Sequence, residues 1–340
     1  MPAATRRSRA TGRVTLADVA RAAEVSAITA SRALSGKRAV DPALVERVRR
    51  AARKLGYLPD PAARALASQR STHVALLLPM LSNALFVDLL EAAQSQLRAA
   101  GFQTLIGITH YDTREEEQLL REQLMHRPAG LLVTGLPRGA TRRLIAASGV
   151  PCVHMMELSS RAGDCSVGFS QQEAAAAMTR HLLQRGRRRI AFAAAQLDPR
   201  TLQRLAGWRA ELAARGLHSP GLEWLNPAPS SIALGAQMFE QIVGGSPPVD
   251  AIFFCNDDLA QGALLAAARR GIAVPRQLAV VGFNDLTGSD QMIPPLTTVR
   301  TPRGEIGAAA AAMLLALMHG VPVAQPRLDL GYSLVVRSSS

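Results

Sequence analysis

The residues of this chain that could do chemistry are polar and charged side chains placed directly after short apolar runs. Arg200 and Arg204 are one helical turn apart, and a guanidinium presents a fork of donors that suits a carboxylate or a phosphate. Asp and Asn side chains bind hydroxyl groups. Together these types fit a small hydroxylated acid such as an aldonate. The candidate set is Ser82, Asn83, Phe86, Thr134, Arg200, Arg204, Asn256, Asp257, Phe283, Asn284 and Asp285.

Helix capping is the alternative role for several of these acids. Asp198, Asp257 and Asp285 each stand where a helix is expected to begin, and a carboxylate there accepts bonds from the first free backbone N–H groups. The sequence leaves both roles open for each residue.

The elements that must position this set alternate between strand and helix. Segments such as 86–99 and 259–270 have helical spacing, and short apolar runs lie between such segments. This order predicts parallel sheets with helices on both sides, and the length after residue 70 predicts two doubly wound subdomains. Ligands in such folds bind beyond the carboxyl ends of the strands. The candidate strands are 74–78, 104–108, 130–133, 152–155, 190–194, 251–255 and 278–282.

The first 70 residues carry most of the charge. They hold 15 Lys or Arg against five Asp or Glu, which is +10 of the net +13 of the chain. A charge this lopsided predicts a polyanionic partner for one end of the protein. Residues 1–13 show no apolar periodicity and read as a disordered basic arm.

Residues 14–60 have the spacing of a helix-turn-helix domain. Thr15 is expected to cap a first helix over 16–23, and Ser26 a second over 27–34. A third is expected from Asp41-Pro42 to Leu55, with Gly56 ending it. The second helix of such a unit enters the major groove of DNA. The alternative interpretation is that these three helices only form a solvent-exposed surface and bind no DNA.

The predicted DNA contacts follow from residue type. Arg32 can pair bidentately with guanine, whereas Ala27 and Ile28 can read only shape or thymine methyl groups. Thr29 and Ser31 are candidates for phosphate contact. Residues 61–71 are expected to form a short helix or linker, in which Leu66 either wedges into a minor-groove step or packs on the next domain.

Other classes of protein fit the sequence less well. No G-x-G-x-x-G follows the first strand, and no P-loop, nucleophile elbow or His/Cys metal set occurs, so an enzyme is not expected and no cofactor is predicted. The three cysteines are expected to be reduced. Without an apolar membrane segment or a secretory signal, we expect a cytoplasmic, nucleoid-associated protein and no membrane partner. A solute receptor has no use for the basic N-terminal domain, which argues against that class. An architectural DNA protein would leave the remaining 270 residues without a role.

The motifs then support a family resemblance. V-T-L-A-D-V-A, V-S-A-I-T-A-S-R-A-L, L-G-Y-L-P and A-R-A-L in the first 66 residues resemble the LacI family of bacterial transcription regulators. L-L-P-M-L-S-N-A-L-F, N-D-D-L-A-Q-G-A, V-V-G-F-N-D and P-P-L-T-T-V extend the resemblance along the chain. V-G-F at 167–169, D-P-R-T at 198–201 and L-D-L-G at 328–331 are similar to its gluconate-type branch.

The resemblance implies a mechanism and an organisation. It implies a homodimeric repressor that binds double-stranded operator DNA. An effector bound between the subdomains would control whether the repressor leaves the DNA. The alternative is a regulator activated by a co-repressor, with a purine, a sugar or a sugar phosphate as its effector. It makes Ala27, Ile28 and Arg32 the base readers and Leu66 the hinge leucine. Thr15, Ser26 and Arg64 join the DNA-binding set. The core resembles periplasmic binding proteins, and the resemblance implies chain crossings near residues 170, 300 and 326. One subdomain then spans 72–170 and 301–325, and the other 171–299 and 328–340.

Four positions depart from the family pattern. Glu24 stands where the family usually has Gly in the turn, so strain of about 1 kcal/mol or a different turn is expected. Ala30 replaces a larger Val, Asp41 replaces a Ser, and Asp60 replaces an Asn before the hinge.

Overall fold

A computed structural model describes residues 14–35, 40–58 and 71–340. The chain divides into two compact units, Met1–Arg70 and Ser71–Ser340. We call the first the headpiece and the second the core unit.

The headpiece contains three helices, α1 (Leu16–Ala22), α2 (Ala27–Ser35) and α3 (Pro42–Leu55). Thr15 caps α1 in a reciprocal capping box with Asp18, and Asp41 caps α3 ahead of its first-turn proline. Gly56 ends α3 with a φ of 65°, a left-handed conformation that glycine adopts readily. The three predicted helices are therefore confirmed, each to within a residue. They enclose a cluster of small side chains: Val19, Ala20, Ala23, Ala30, Ala33, Val48, Ala51 and Ala52.

The first lobe of the core unit is built on a six-stranded parallel sheet. Its strands are β1 (His73–Leu78), β2 (Gln103–Ile108), β3 (Gly130–Thr134), β4 (Cys152–Met155), β5 (Cys165–Gly168) and β11 (Arg327–Asp329), in the spatial order β11-β5-β4-β3-β1-β2. The helices of this lobe are α4 (Ala84–Ala99), α5 (Thr113–Met125), α6 (Gly139–Ser148) and α11 (Arg303–Met318). Apolar clusters on both sides of the sheet bury the inner strands β1, β3, β4 and β5, as near-continuous apolar runs predict, whereas the edge strands β2 and β11 are partly exposed.

The second lobe is built on a four-stranded parallel sheet. Its strands are β6 (Ile190–Ala195), β7 (Glu223–Asn226), β8 (Ala251–Phe254) and β9 (Ala279–Val281), in the order β7-β6-β8-β9. Its helices are α7 (Gln171–Gln184), α8 (Pro199–Ala213), α9 (Ile232–Val243) and α10 (Asp257–Arg269). A short 3₁₀ helix, Pro220–Leu222, precedes β7. The predicted doubly wound α/β architecture is confirmed. Strands β5, β7 and β11 were not among the predicted strands, and neither were two further short strands, β10 (Thr298–Arg300) and β12 (Ser333–Val335).

The chain crosses between the lobes three times. The first crossing follows β5, and the second is β10 (Thr298–Arg300), which pairs antiparallel with β12 (Ser333–Val335). The third was expected near residue 326, with 328–340 in the second subdomain. This was wrong, because β11 pairs with β5 of the first lobe through Asp329. The crossing therefore comes after residue 329.

Glycines allow two helix pairs of the second lobe to pack with their backbones nearly in contact. A Cβ at Gly207 of α8 would overlap the carbonyl of Gln172 in α7, and a Cβ at Gly262 of α10 would overlap the carbonyl of Ile232 in α9. These contacts fix α8 and α10, whose first turns carry candidate binding residues, against the body of the lobe.

Candidate functional site

The exposed face of α2 carries the predicted base-reading residues. Ala27, Ile28 and Arg32 are exposed, and Ile28 keeps 65% of its surface accessible although it is apolar. Ala30 and Ala33 on the opposite face are buried in the headpiece cluster. The outward face is thus free for a partner, as a recognition helix requires.

The hydroxyl residues beside this face take part in capping. The Ser26 Oγ accepts a bond from the backbone N–H of Thr29 at 3.1 Å, and the hydroxyls of Ser26 and Thr29 lie 2.8 Å apart. Thr15 Oγ1 donates to Asp18 Oδ2 at 2.7 Å. Ser31 is exposed on α2. Arg64 and Leu66, with the predicted hinge and the basic arm, lie outside the described residues.

Glu24, in the turn between α1 and α2, has a φ of 50°. Its backbone N–H donates to Arg21 O at 3.2 Å, and the next N–H, of Val25, donates to Ala20 O at 2.9 Å. These bonds close the end of α1 around a left-handed residue, the conformation for which the family pattern has glycine. The turn therefore keeps the left-handed conformation with a residue other than glycine, and the cost in free energy stays a prediction.

Arg200 is the most distinctive residue of the candidate effector site. It lies in the first turn of α8, is 5% exposed, and its guanidinium carbon lies 5.5 Å from the Phe86 ring centre and 5.6 Å from that of Tyr111. Its Nε donates to Asp198 Oδ1 at 3.3 Å, and its Nη2 lies 3.4 Å from the Tyr111 hydroxyl. Its Nη1 is buried and finds no hydrogen-bond partner in the described part of the chain.

The charge of Arg200 survives its burial. Burial is the largest single effect and opposes the cation, but the negative charge of Asp198, helped by Tyr111 and Glu157, outweighs it, so the pKa of Arg200 lies above its ordinary value. Burial raises the pKa of Tyr111 to about 12, so its hydroxyl stays protonated near neutral pH. The site therefore holds a fixed positive charge with one unused donor, which suits a carboxylate.

Arg204 lies one turn further along α8 and is tightly held. Its Nε donates to Gln171 Oε1 at 2.8 Å, its Nη1 donates to the carbonyl of Cys255 at 2.5 Å, and its guanidinium lies 3.9 Å from the Phe283 ring centre. Burial lowers the pKa of Arg204. The structure thus joins three predicted features, namely Arg204, Phe283 and the end of β8.

Asn284 and Asp285 form a strained loop beyond β9. Their φ angles are 112° and 52°, unusual for residues other than glycine. Asn284 is 2% exposed, and its Oδ1 accepts no hydrogen bond within residues 71–340. Both carboxylate oxygens of Asp285 are occupied, by Arg300 Nε at 2.7 Å and Arg337 Nη2 at 2.8 Å. Asn284 therefore has binding capacity to spare, whereas Asp285 holds the loop in place.

Asn256 and Asp257, at the start of α10, are also engaged locally. The Asn256 Oδ1 caps Leu259 N at 3.2 Å. The Asp257 oxygens accept bonds from Leu286 N at 2.7 Å and Thr298 Oγ1 at 2.6 Å. Burial raises the pKa of Asp257 to about 6, although these two bonds act in the opposite direction.

The first-lobe candidates divide into two groups. Phe86 is buried against Arg200, and Thr134, at the end of β3, has a buried Oγ1 that pairs with no described residue. Asn83 caps α4 and donates to Asp258 Oδ2 in the second lobe at 3.2 Å. Ser82 is exposed, and its hydroxyl donates to the sulfur of Met80 at 3.5 Å.

Several residues in the cleft were not in the candidate set: Tyr111, Glu157, Gln171, Gln203 and Asp258. Gln203 Nε2 donates to Glu157 Oε1 at 2.5 Å across the two lobes. A signal for Gln203 was available, because it lies three residues after Arg200 and so faces the same way on α8. Glu157 lies two residues after the end of β4 and could have been found by the strand-end rule.

The basic run at 185–189 has a structural explanation. Arg187 Nη2 donates to the carbonyl of Pro275 at 2.5 Å, and Arg188 Nη1 donates to that of Leu183 at 2.9 Å. The N–H groups of Arg188 and Arg189 are bound by the carboxylate of Asp250. The run therefore stabilises the turn from α7 to β6.

The described residues contain neither a metal site nor a membrane-spanning helix. They contain no group of three or more His, Cys, Asp or Glu placed to hold a metal ion. No described helix is long and apolar enough to cross a membrane.

A helix-turn-helix unit with a bare outer face, joined in one chain to a two-lobed unit with a polar cleft, defines a ligand-responsive DNA-binding regulator. Comparison with known proteins agrees with this class. Residues 15–60 match the model described as bacterial regulatory proteins, lacI family, and residues 179–340 match a periplasmic binding protein-like domain. The chain belongs to the LacI family of bacterial transcription regulators.

Individual relatives match over almost their whole length. The chain is 54% identical over 334 residues to the HTH-type transcriptional regulator GntR of Pseudomonas aeruginosa, covering 98% of this chain and 97% of that one. The crystal structure of transcription regulator GntR from Chromobacterium violaceum has a TM-score of 0.77 at 50% identity, covering 79% and 99%. The lac repressor dimer bound to operator and the anti-inducer ONPF has a TM-score of 0.85 at 26% identity, covering 96% and 99%.

Proposed function

We propose that this protein is a homodimeric repressor whose affinity for its operator is controlled by a small sugar acid, similar to gluconate, bound between the lobes of the core unit. The observation that carries the proposal is the buried Arg200 cation with an unused Nη1 donor. An unpaired charged donor in the interior is costly unless a ligand anion completes it.

The hydroxyl groups of such a ligand have matching partners. Asn284 Oδ1 and Thr134 Oγ1 are buried and have no bonds to described side chains or backbone, so they can accept from and donate to hydroxyls. Phe86 and Tyr111 cover Arg200 with apolar surface. One free guanidinium edge beside neutral acceptors favours a monocarboxylate over a phosphate, which needs more positive charge. We include the other candidates as lining residues, and assign Asp257 and Asp285 to holding the loops.

On the DNA side, we propose that each headpiece reads one half-site through Ala27, Ile28 and Arg32. Leu66 of each chain would wedge into the minor groove at the centre. Ligand binding between the lobes would weaken this arrangement by a coupling free energy of about 1–3 kcal/mol. The lac repressor dimer bound to operator, whose structure is similar to this chain, supports the two-fold arrangement.

The experiment separates the two binding functions. A duplex selected from a random library by the purified protein serves as operator, and fluorescence anisotropy measures its affinity with and without D-gluconate. Arg32→Ala should weaken operator binding by about 1–3 kcal/mol. Arg200→Gln should leave that affinity unchanged and lose the response to gluconate, because the charged donor is gone; Arg270→Ala, on the surface, is the matched control.

The sign of the response tests the mode of control. Release of DNA on addition of gluconate supports induction, and tighter binding supports co-repression. If neither gluconate nor related sugar acids alter DNA affinity or bind the protein in calorimetry, the proposal is wrong. If Arg200→Gln responds as the unmodified protein does, the carboxylate site lies elsewhere.

A further inference from the structure

One arginine outside the candidate set connects the two lobes next to the cleft. Arg303 is the first residue of α11, which packs in the first lobe against α4. Its Nε donates to Asp88 Oδ2 of α4 at 2.9 Å, and its Nη2 lies 2.8 Å from the same oxygen in an ion pair. Its Nη1 donates to the backbone carbonyl of Asn284, in the second lobe.

Together, these three contacts fix the orientation of the Arg303 guanidinium between Asp88 and Asn284. The carboxylate of Asp88 fixes the guanidinium plane, and the plane then aims Nη1 away from its own lobe. The Arg303 side chain is 14% exposed, so water screens these bonds only in part. A lysine in this place could not make both contacts with one rigid fork.

Asn284, which Arg303 contacts in the second lobe, has a strained backbone. Asn284 has a φ of 112°, which costs free energy for any residue with a Cβ. Its N–H donates to Val299 O at 2.8 Å, and its carbonyl receives Arg303. Both backbone polar groups of Asn284 are therefore hydrogen-bonded. Its side-chain Oδ1 is buried and has no hydrogen-bond partner in the described part of the chain.

We infer that Arg303 is a positioning residue for the effector site: it holds the Asn284 backbone in its strained conformation, so that the Asn284 amide is ready for a ligand hydroxyl. This rests on the proposed function of the cleft. Because Arg303 belongs to the first lobe and Asn284 to the second, the bond forms only at one relative position of the lobes. Arg303 thus makes the recognition of hydroxyls depend on the closure of the cleft.

The test is a double-mutant cycle on D-gluconate binding, measured by calorimetry on the full chain. Arg303→Ala should raise the dissociation constant roughly 10-fold, as expected for loss of one charge-assisted bond. Asn284→Ala should also weaken binding. In the Asn284→Ala background, Arg303→Ala should add less than about 2-fold, because the side-chain amide that Arg303 positions is already gone although the backbone carbonyl remains. A structural role for Arg303 would instead give additive effects.

Two further variants keep the result interpretable. Asp88→Asn removes the orienting carboxylate from a half-exposed position and should reproduce part of the loss, even if Arg303→Ala folds poorly. Arg270→Ala should bind gluconate as the unmodified protein does. Normal gluconate affinity in both Arg303→Ala and Asp88→Asn, or full additivity with Asn284→Ala, would overturn the inference. Absence of any gluconate binding by the unmodified protein would instead refute the proposed function.

Discussion

Replacement of Glu24 by glycine should stabilise the headpiece. Glu24 has a φ of 50°, and a left-handed conformation costs a residue with a Cβ about 1–2 kcal/mol. Glycine removes that cost but gains backbone freedom in the unfolded state, which offsets about 0.5–1 kcal/mol. The net expectation for Glu24→Gly is about 0.5–1 kcal/mol of added stability. The backbone bonds that close the turn, from Glu24 and Val25 N–H, are retained.

Hydrogen exchange of the full chain can measure this change locally. The slowest amides of α1 and α2 should exchange about 2- to 5-fold more slowly in Glu24→Gly, because 1.4 kcal/mol corresponds to a factor of ten in an opening equilibrium. Amides of the core unit should not change. This separates the headpiece from the larger unit without dividing the chain.

Glu24→Gln is the matched control, because it removes the negative charge but keeps the Cβ and therefore the backbone strain of the left-handed conformation. It should leave the exchange rates close to those of the unmodified protein. If Glu24→Gln slows exchange as much as Glu24→Gly does, charge rather than backbone strain governs the turn. If Glu24→Gly exchanges faster, the strain argument is wrong.

Two other changes test the core unit by urea denaturation. Burial raises the pKa of Asp257 to about 6. The folded chain then keeps a proton that the unfolded chain releases, and stability falls by up to about 3 kcal/mol as the pH rises from 4 to 7. Asp257→Asn should flatten this slope, whereas exposed Asp329→Asn should not; an unchanged slope contradicts the assignment. Gly262→Ala forces a Cβ into the Ile232 carbonyl and should cost about 1–3 kcal/mol, but Gly304→Ala, with open space around it, should be near neutral. Equal stability of the two variants would refute the close-packing argument.

Local rules recovered much of the fold from the sequence. Thr15, Asp41 and Gly56 delimit helices as their types predict, because capping is decided by a few neighbouring atoms. The buried strands of both sheets are short apolar runs. By contrast, β11 and β12 are short and partly exposed, so they have no apolar signature, and long-range pairing alone makes them strands.

Part of the candidate site could also be predicted from the sequence. The strand-end rule found Arg200, Arg204 and Asn284, because it follows from topology. It could not separate Asp285, whose carboxylate is consumed by Arg300 and Arg337, from a free ligand group. Nor could it find Arg303, since its role depends on contacts with residues distant in the chain.

The pairing of β11 with β5 has a consequence for biosynthesis. Arg327 lies beside Ser166, so the edge of the first sheet is completed by residues translated long after the rest of it. Helix α11, which covers strands β3, β4 and β5, also arrives late. A nascent chain that has already produced the whole second lobe therefore still lacks the helix that packs on β3, β4 and β5, and the apolar side chains beneath that helix stay exposed until the last part of the chain is translated.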